Sequence, residues 1–454
     1  MELTVTGIYD IKIDDLAYGG KGVGRIENCA VFVPYAVPGD ELKVRITIKK
    51  SNFAEAEIVS ITKISPLRTI AECKIFGNCG GCNWLNINYN SQLKYKHKIV
   101  VDSFERIGNQ KKIQIENIIP SPDVFHYRNK MDFAFGKDDS EKFALGFHKP
   151  GEFHRVADVE KCLLSPPFFN DIIKIIRDFA KERCLEPYSP LTHTGFLRSL
   201  IIRYGKATNE VLISILTNDG EFPNIGELTD TLTKKFPNIK GIQWGIHRSV
   251  SDFARLDEEK FFYGQRFIID KIGEIQYRIS PLSFFQTNTS GAEILYKTIK
   301  DFADLKPYYN LLDLYSGTGG IALYLAKYVK KVIGIEEVKD AVWDARENAS
   351  LNKINNATFL LGDVKTTLPK FVKNSGLEFD TIIVDPPRSG MHKKVTNTIT
   401  SLMPKTLIYV SCNPTTLSRD ILSIVSAGYK ISKVQPIDMF PHTYHIETVV
   451  KLER

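Results

Sequence analysis

The sequence predicts an α/β protein of three units: a small β-barrel, a central α+β unit and a C-terminal doubly wound parallel sheet. Residues 1–63 alternate apolar and polar side chains over short runs between Gly and Pro turns. Residues 64–285 mix strand and helix patterns, and residues 286–454 alternate strand and helix regularly. A chain of 454 residues is long enough for two to four domains of about 100 to 200 residues each.

The composition is that of an ordinary globular enzyme, with 43% hydrophobic and 25% charged residues. The sequence has neither the basic-then-apolar start of a signal peptide nor a run of about 18 apolar residues, which a membrane span requires. We therefore expect a cytoplasmic protein without membrane contact, and we expect a monomer. The net charge of +7 permits a nucleic-acid partner.

The first unit, residues 1–63, is expected to be a five-stranded barrel of the OB type. Short runs such as "AVFVPYAV" read as strands, and "YGGKGVGR" and "VPGD" read as turns. Barrels of this kind often bind single-stranded nucleic acid, so RNA binding is the functional prediction. A purely structural appendage is the alternative.

The central unit, residues 64–285, is expected to hold an antiparallel sheet with helices on one side. "YRNKMDFAFG" and "EVLISILT" read as strands, and "PPFFNDIIKIIRDFAKERC" reads as an amphipathic helix. A further helix at about 92–107 has an apolar face, and lysines lie on its other face. Those lysines either contact RNA or are simply solvated, and this helix can pack on the C-terminal unit.

Seven cysteines in a cytosolic chain indicate metal ligands or reactive thiols rather than disulfides. Four of them group in the central unit, three in a C-x5-C-x2-C pattern and one further along: Cys73, Cys79, Cys82 and Cys162. An iron–sulfur cluster, a structural zinc and free thiols are the three possibilities, and zinc more often shows two C-x-x-C pairs. Cys29 and Cys184 fit no pattern, and core packing is expected for both.

The first strand of the C-terminal unit leads into a glycine turn, "DLYSGTGGIAL" at 313–323. Its G-x-G-G spacing, with Gly317 first, matches neither the dinucleotide fingerprint nor a P-loop. Glu336 ends the second strand, where a carboxylate can accept hydrogen bonds from both ribose hydroxyls. A ligand with ribose and no phosphate fits, so we predict S-adenosylmethionine, with Asp363 at the end of the third strand near its adenine.

The fourth and fifth strands end in groups suited to methylating a carbon atom. "DPPRSG", from Asp385, has Arg388 where methyltransferases acting on amino groups carry an aromatic residue. Cys412 ends the fifth strand at the same edge, and a thiolate added to carbon 6 of uracil makes carbon 5 nucleophilic. Glu447, at the start of the last strand, is the candidate base that removes the carbon 5 proton; inert packing of Cys412 and a solvated Glu447 are the alternatives.

The motifs "FFQTN", "DLYSGTGG", "DPPRSG", "SCNP" and "HIE" resemble, in order and spacing, those of the RNA 5-methyluridine methyltransferases. The resemblance covers nearly the whole chain. It implies that Cys412 is the nucleophile and Glu447 the base, and that Asp385 lies near the target uracil. It also implies a set of residues that bind the cofactor or frame the site: Gln286, Tyr315, Glu336 and Asp385.

The resemblance extends to the members of this family that carry an N-terminal TRAM barrel and a [4Fe-4S] cluster, the 23S ribosomal RNA type. It therefore implies a [4Fe-4S] cluster held by the four grouped cysteines, and we expect a structural role for it. RNA 5-methylcytosine enzymes typically have a Cys in the fourth-strand motif, where this chain has "DPPRSG", and this difference favours uracil.

These observations together predict an RNA uracil-5-methyltransferase that uses S-adenosylmethionine, with 23S ribosomal RNA as the expected substrate and transfer RNA as the alternative. A noncatalytic RNA-binding or assembly factor is the rival from another class. A radical enzyme using the same cofactor would need a C-x3-C-x2-C loop, and the C-x5-C-x2-C spacing here does not match it.

Overall fold

The computed structural model describes residues 3–250 and 254–454, and it confirms the predicted α/β class. It contains a closed barrel, a seven-stranded central sheet, a two-stranded hairpin and a seven-stranded C-terminal sheet. Within those described ranges, no helix has the length and apolar character needed to cross a membrane.

The N-terminal barrel closes in the strand order β1-β2-β3-β5-β4. Its strands are β1 (Ile8–Leu16), β2 (Gly22–Ile26), β3 (Cys29–Val33), β4 (Glu41–Lys49) and β5 (Phe53–Lys63). Alternate side chains fill the interior, and Ile13, Val31 and Val44 are fully buried there. The five-stranded barrel expected from the short alternating runs is therefore present.

Helix α1 (Tyr89–Arg106) connects the barrel to the C-terminal unit. Asn88 caps its start by accepting a hydrogen bond from the Ser91 N–H, 2.9 Å away. One face of the helix buries Val100 and Phe104 in the same core as the C-terminal sheet.

The lysines of α1 do not form the solvated face that the sequence suggested. Lys96 is fully buried, and its Nζ lies 2.7 Å from Asp438 Oδ1 and 3.0 Å from the carbonyl oxygen of Phe440. Lys98 pairs with Asp15 of the barrel and with Asp102. Lys96 therefore links α1 to the C-terminal unit, and Lys98 links it to the barrel. Lys94 is exposed.

Replacing Lys96 by methionine should destabilise the protein strongly. The change leaves the Asp438 carboxylate buried without a counter-ion, which costs about 3 to 5 kcal/mol. We expect the midpoint of thermal unfolding to fall by about 5 to 10 °C. Lys94→Met on the exposed face of the same helix is the matched control and should shift the midpoint by about 1 °C at most. Equal shifts in the two variants would contradict a stabilising role for the buried pair.

The central sheet has the strand order β12-β11-β10-β9-β6-β7-β8. Its strands are β6 (Lys130–Lys137), β7 (Phe143–Lys149), β8 (Glu152–Asp158), β9 (Leu197–Gly205), β10 (Glu210–Thr217), β11 (Ile239–Ile246) and β12 (Glu258–Gly264). Helices α2 (Phe168–Glu182) and α3 (Ile225–Lys235) share one core with this sheet.

One feature of the central sheet differs from the prediction. The sheet is mixed rather than antiparallel, because β10 and β11 run parallel. Helix α3 lies between these two strands in the chain and carries it back across the sheet, which is the long connection that a parallel pair requires. The hairpin of β13 (Ile268–Ile272) and β14 (Ile275–Ile279), which follows this sheet, was not predicted.

The C-terminal sheet has the strand order β17-β16-β15-β18-β19-β21-β20. Its strands are β15 (Asn310–Leu314), β16 (Lys331–Glu336), β17 (Ala357–Leu361), β18 (Thr381–Val384), β19 (Thr406–Ser411), β20 (Lys430–Ile437) and β21 (Glu447–Glu453). Its helices are α4 (Thr289–Ala303), α5 (Gly320–Leu325), α6 (Lys339–Leu351), α7 (Val364–Ser375), α8 (Lys393–Leu402) and α9 (Pro414–Ser426), with a short 3-10 turn at Ala326–Tyr328.

The direction of β21 decides what lies at one edge of this sheet. Strands β15 to β19 are mutually parallel, so their carboxyl ends share an edge. Strand β21 is antiparallel to β19, so its first residue, Glu447, lies at that same edge. Ligands of doubly wound sheets bind outside this edge, where the strand order reverses.

Candidate active site

A single cavity of ≈ 1420 Å³ opens at the carboxyl edge of the C-terminal sheet. All the catalytic and cofactor residues predicted from the sequence line it: Gln286, Tyr315, Gly317, Glu336, Asp363, Asp385, Cys412 and Glu447. The fold thus brings together eight residues that lie up to 161 positions apart in the sequence.

The glycine turn after β15 is tied to the end of β16. Glu336 accepts hydrogen bonds from the Gly317 N–H at 3.0 Å and from the Val338 N–H at 2.9 Å. Gly319 has φ +79°, and a Cβ there would lie 2.8 Å from the Phe359 ring, so only glycine fits. The turn and the carboxylate therefore form one rigid surface at the cavity floor.

Two buried polar atoms in this part of the cavity have no hydrogen-bond partner among the residues that the structure describes. They are Asp313 Oδ1, at the end of β15, and Ser316 Oγ, in the turn. The other oxygen of Asp313 accepts a hydrogen bond from the Ala322 N–H at 3.1 Å. Burial raises the pKa of Asp313 well above its usual range, with Asp385 adding to the shift. Unpartnered buried polar atoms in a cavity indicate that a polar ligand completes them.

Asp363 lies at the end of β17, where it caps helix α7. Its Oδ1 accepts a hydrogen bond from the Lys365 N–H at 2.7 Å, and the Lys365 ammonium lies 3.5 Å from Oδ2. The carboxylate is therefore held at the rim of the cavity by its own helix.

The segment that carries Gln286 closes one side of the cavity. Asn129 of the central unit donates a hydrogen bond to the Gln286 carbonyl oxygen at 2.8 Å. The Thr318 hydroxyl of the glycine turn donates to the Phe284 carbonyl oxygen at 3.3 Å, and the Phe284 ring is 64% exposed. The central unit and the C-terminal unit thus both hold this segment over the turn.

Cys412 and Glu447 face each other on neighbouring strands. In the antiparallel pair of β19 and β21, Ser411 is opposite Thr448, so the next residue outward on each strand is Cys412 and Glu447. Burial raises the pKa of the Cys412 thiol to about 12, and the charges of Glu447 and Asp385 add to the effect. Burial also raises the pKa of Glu447 well above its usual range and that of Asp385 to about 7.

Arg388 is the cation beside these three acidic groups, and it lowers the pKa of both Cys412 and Glu447. Its backbone oxygen accepts a hydrogen bond from Asn413 Nδ2 at 3.0 Å, which ties the "DPPRSG" turn to the "SCNP" turn. Its guanidinium lies 3.5 Å from His445 Nε2. The sequence motifs contained Arg388 and His445, but no spacing rule showed that they would meet.

The four grouped cysteines all line a second cavity, of ≈ 350 Å³, between the segment that precedes α1 and the central unit. The Cys79 sulfur accepts a hydrogen bond from the Gly81 N–H at 3.4 Å. Burial raises the pKa of Cys79 to about 12, and the pKa values of Cys73 and Cys82 are raised for the same reason. Among the residues that the structure describes, no three His, Cys, Asp or Glu side chains are arranged to hold one metal ion.

The prediction for the two remaining cysteines is half right. Cys29 is half-buried and packs against the core of the barrel. Cys184 is exposed, because it follows the last turn of α2 in a left-handed conformation with φ 50°. The amphipathic pattern of α2 ends before Cys184, so the apolar face of the helix does not include it.

Comparison with known families gives two matches. The model of the tRNA (uracil-5-)-methyltransferase family matches residues 88–454, and the model of the TRAM domain matches residues 2–59. The first match contains the whole C-terminal sheet and the second contains the barrel strands up to most of β5.

Similar proteins extend over the full length of the chain. An uncharacterised RNA methyltransferase of Chlorobaculum tepidum is 37% identical, with 98% of this chain and 96% of its own covered. An uncharacterised RNA methyltransferase of Bacteroides thetaiotaomicron is 38% identical, with 96% of this chain and 100% of its own covered. The solved structures include the tRNA (uracil-54, C5)-methyltransferase of Pyrococcus abyssi in complex with S-adenosyl-L-homocysteine. It is 29% identical to this chain, with a TM-score of 0.79, and the match covers 97% of this chain and 100% of the Pyrococcus abyssi chain.

Proposed function

Since the chain belongs to the tRNA (uracil-5-)-methyltransferase family and is an S-adenosylmethionine-dependent RNA uracil-5-methyltransferase, we propose that it acts through a covalent bond between Cys412 and uracil. The observation that carries this proposal is the facing position of Cys412 and Glu447 in the cavity that also holds the glycine turn and Glu336. The substrate we propose is a uridine of 23S ribosomal RNA, flipped out of its stack to reach the cavity.

The first step needs Cys412 as a thiolate. Its sulfur forms a bond to carbon 6 of the uracil, and the electrons of the C5–C6 double bond move onto carbon 5 and the carbonyl at carbon 4. Arg388 favours the thiolate, because it is the cation that lowers the pKa of Cys412. Asp385 follows β18 and lines the same cavity, and its carboxyl is proposed to contact the edge of the ring.

Methyl transfer and release follow on carbon 5. The cofactor supplies a methyl group on a positively charged sulfur, which keeps the electron pair when the methyl group leaves. The Glu447 carboxylate then takes the proton from carbon 5, the double bond re-forms, and Cys412 departs as thiolate. A carboxyl whose pKa is raised by burial is a stronger base than an exposed one, which suits Glu447 to this step.

The cofactor is proposed to lie on the floor made by the glycine turn. Glu336 would accept the ribose hydroxyls with the lone pairs that Gly317 and Val338 leave free, and Asp363 would lie at the adenine. The unpartnered Asp313 Oδ1 supports this placement, because it offers an acceptor to the amino group of the methionine part. Tyr315 and Gln286 close the cavity around it.

Replacing Glu336 by alanine should weaken binding of S-adenosylmethionine about 10- to 100-fold, the loss expected when charge-assisted hydrogen bonds to a ligand are removed. Isothermal titration calorimetry with the cofactor alone measures this effect. Glu378→Ala is the matched control, because Glu378 belongs to the same unit, is exposed and does not line the cavity. Equal affinities for the Glu336 variant and the wild type would remove Glu336 from the cofactor site.

The rate of covalent bond formation should rise with pH. The pKa of Cys412 is raised to about 12, so the thiolate is a small fraction at neutral pH and grows as pH increases. We expect about a tenfold rise per pH unit between about pH 6 and 9. Rapid-quench trapping on 5-fluorouridine RNA measures the rate, with RNA affinity followed over the same range as the control. A flat or falling profile would be inconsistent with attack by a thiolate formed from this buried thiol.

Two classes of RNA are candidate substrates. The barrel and the grouped cysteines support ribosomal RNA, as in the family members that the sequence resembles. Transfer RNA is the second candidate, because the Pyrococcus abyssi protein acts on uracil 54 of transfer RNA. Mapping 5-methyluridine in both RNA classes from a strain lacking this protein distinguishes the two. Transfer of labelled methyl groups to bulk RNA by the purified protein would exclude a noncatalytic role.

A [4Fe-4S] cluster at the four grouped cysteines is also part of the proposal. Four thiols around one cavity are a suitable donor set for a cluster, which is larger than a single ion. The cluster would brace the segment before α1 against the central sheet. Iron and sulfide analysis of anaerobically purified protein tests this, with Cys82→Ser expected to lose both and Cys184→Ser expected to retain them.

A further inference from the structure

A turn of the N-terminal barrel contacts the loop that leads to Glu447. The turn joins β1 to β2, and the Ala17 N–H and the Lys21 carbonyl oxygen close it at 2.9 Å. Gly20 has φ +89° and its carbonyl oxygen accepts a hydrogen bond from Trp84 Nε1 at 2.9 Å. The "YGGKGVGR" motif is therefore a docked turn, and its first residue, Tyr18, is directed at the C-terminal unit.

Three rings and a guanidinium form a continuous series from this turn to the cavity. Tyr18 meets Tyr444 edge-on, with ring centroids 5.5 Å apart. Tyr444 lies on His445, with centroids 4.3 Å apart, and His445 Nε2 lies 3.5 Å from the Arg388 guanidinium. Tyr444 and His445 belong to the loop that leads directly to Glu447.

The contact between Arg388 and His445 indicates which nitrogen of the imidazole carries the proton. A guanidinium can only donate, so His445 accepts at Nε2 and carries its proton on Nδ1. Burial is the main cause that lowers the pKa of His445 to about 4, and the charge of Arg388 is the second cause. The ring is therefore neutral at physiological pH. A neutral ring that accepts from Arg388 restrains the guanidinium beside Cys412 and Glu447.

Tyr18 also lies within electrostatic reach of the reacting groups. Burial raises the pKa of its hydroxyl, and negative charge on Cys412 and Glu447 adds to the shift. The ring is half-buried against the core that contains β19 and α1. Its place is therefore set by packing rather than by a flexible surface loop.

We propose that Tyr18, a residue of the N-terminal barrel, is a positioning residue of the methyl-transfer site: its ring holds Tyr444 and His445, and through them the guanidinium of Arg388. The proposal rests on the covalent mechanism above and assigns the barrel a part in it. Docking of the barrel completes the site, and the barrel does more than bind RNA.

The test is a double-mutant cycle of Tyr18→Ala and His445→Ala. The measured quantity is the rate at which saturating 5-fluorouridine RNA forms a covalent adduct in a single turnover. Tyr18→Ala should slow this rate about three- to tenfold, as expected for loss of one aromatic contact. It should have no further effect when His445 is already alanine, because coupled residues are non-additive. Tyr18→Phe, which keeps the ring, should restore the rate.

Tyr9→Ala is the matched control, because Tyr9 lies on β1 of the same barrel and its hydroxyl contacts Thr4. This variant should leave the rate unchanged. Additive effects of Tyr18→Ala and His445→Ala would overturn the proposal, as would a loss of RNA affinity with an unchanged rate at saturation. Thermal unfolding of each variant identifies one that fails to fold, and Tyr18→Leu, which removes the aromatic ring but keeps an apolar side chain, then replaces Tyr18→Ala in the cycle.

A second measurement separates this proposal from the covalent mechanism. The same cycle is run on the rate at which iodoacetamide alkylates Cys412 in the free protein, read from the mass of the Cys412 peptide. This rate needs neither RNA nor cofactor. Coupling between Tyr18 and His445 in alkylation supports the positioning role even if no adduct with RNA forms, and additivity overturns it.

Discussion

Replacing Cys412 by alanine is expected to abolish methyl transfer, with a fall in rate of about 10⁴-fold or more, because loss of a covalent nucleophile removes the reaction path itself. Binding of S-adenosylmethionine and RNA should stay within about threefold of the wild type, because the change removes a single sulfur atom from a cavity that many other residues line. Incorporation of labelled methyl groups into RNA measures the first effect.

The Cys412 variant should also form no covalent complex with 5-fluorouridine RNA, in which fluorine cannot leave as a proton does. Cys184→Ala is the matched control, because Cys184 is an exposed cysteine outside both cavities. That variant should trap RNA as the wild type does. Trapping by Cys412→Ala at the rate of the wild type would show that another group is the nucleophile.

Replacing Glu447 by glutamine should allow the covalent adduct between Cys412 and RNA to form but should prevent its release. The amide cannot take the carbon 5 proton, so turnover should fall about 10²- to 10⁴-fold, the usual contribution of a general base. A covalent complex with ordinary uridine RNA should then accumulate, already carrying the methyl group. Denaturing electrophoresis of the complex with labelled methyl donor measures both properties.

Glu453→Gln is the matched control for this change, because Glu453 ends the same strand and is far more exposed than Glu447. It should turn over as the wild type does, with no accumulated complex. Rapid release of RNA by the Glu447 variant would remove Glu447 from the role of base. Glu447→Gln and Glu453→Gln together therefore compare the two ends of strand β21.

Most of the fold could be predicted from local pattern. Strand ends such as Asp385 and Cys412 follow apolar runs directly, and glycines such as Gly317 mark the turn into a helix. Parallel strands that alternate with helices place their carboxyl ends at one edge, so a set of residues that end successive strands was expected to meet. The matches to the methyltransferase family and the TRAM domain confirm the family and the barrel.

Other features could not be predicted, because they depend on contacts between distant segments. The parallel pairing of β10 and β11 depends on how α3 packs, and the charge on Lys96 is neutralised by Asp438, 342 residues further on. The periodicity of α1 predicts an apolar face opposite lysines that either contact RNA or are solvated, but the buried ion pair of Lys96 fits neither alternative.

Local sequence pattern predicted the groups that we propose carry the chemistry: a thiol and a ribose-binding acid at the ends of strands, and a carboxylate base at the start of one. The pKa values of Cys412 and Glu447 depend on tertiary structure, because burial and neighbouring charges raise both of them. The contact between Tyr18 of the barrel and Tyr444 also depends on tertiary structure, since a contact made by packing two units leaves no periodic signal in either segment.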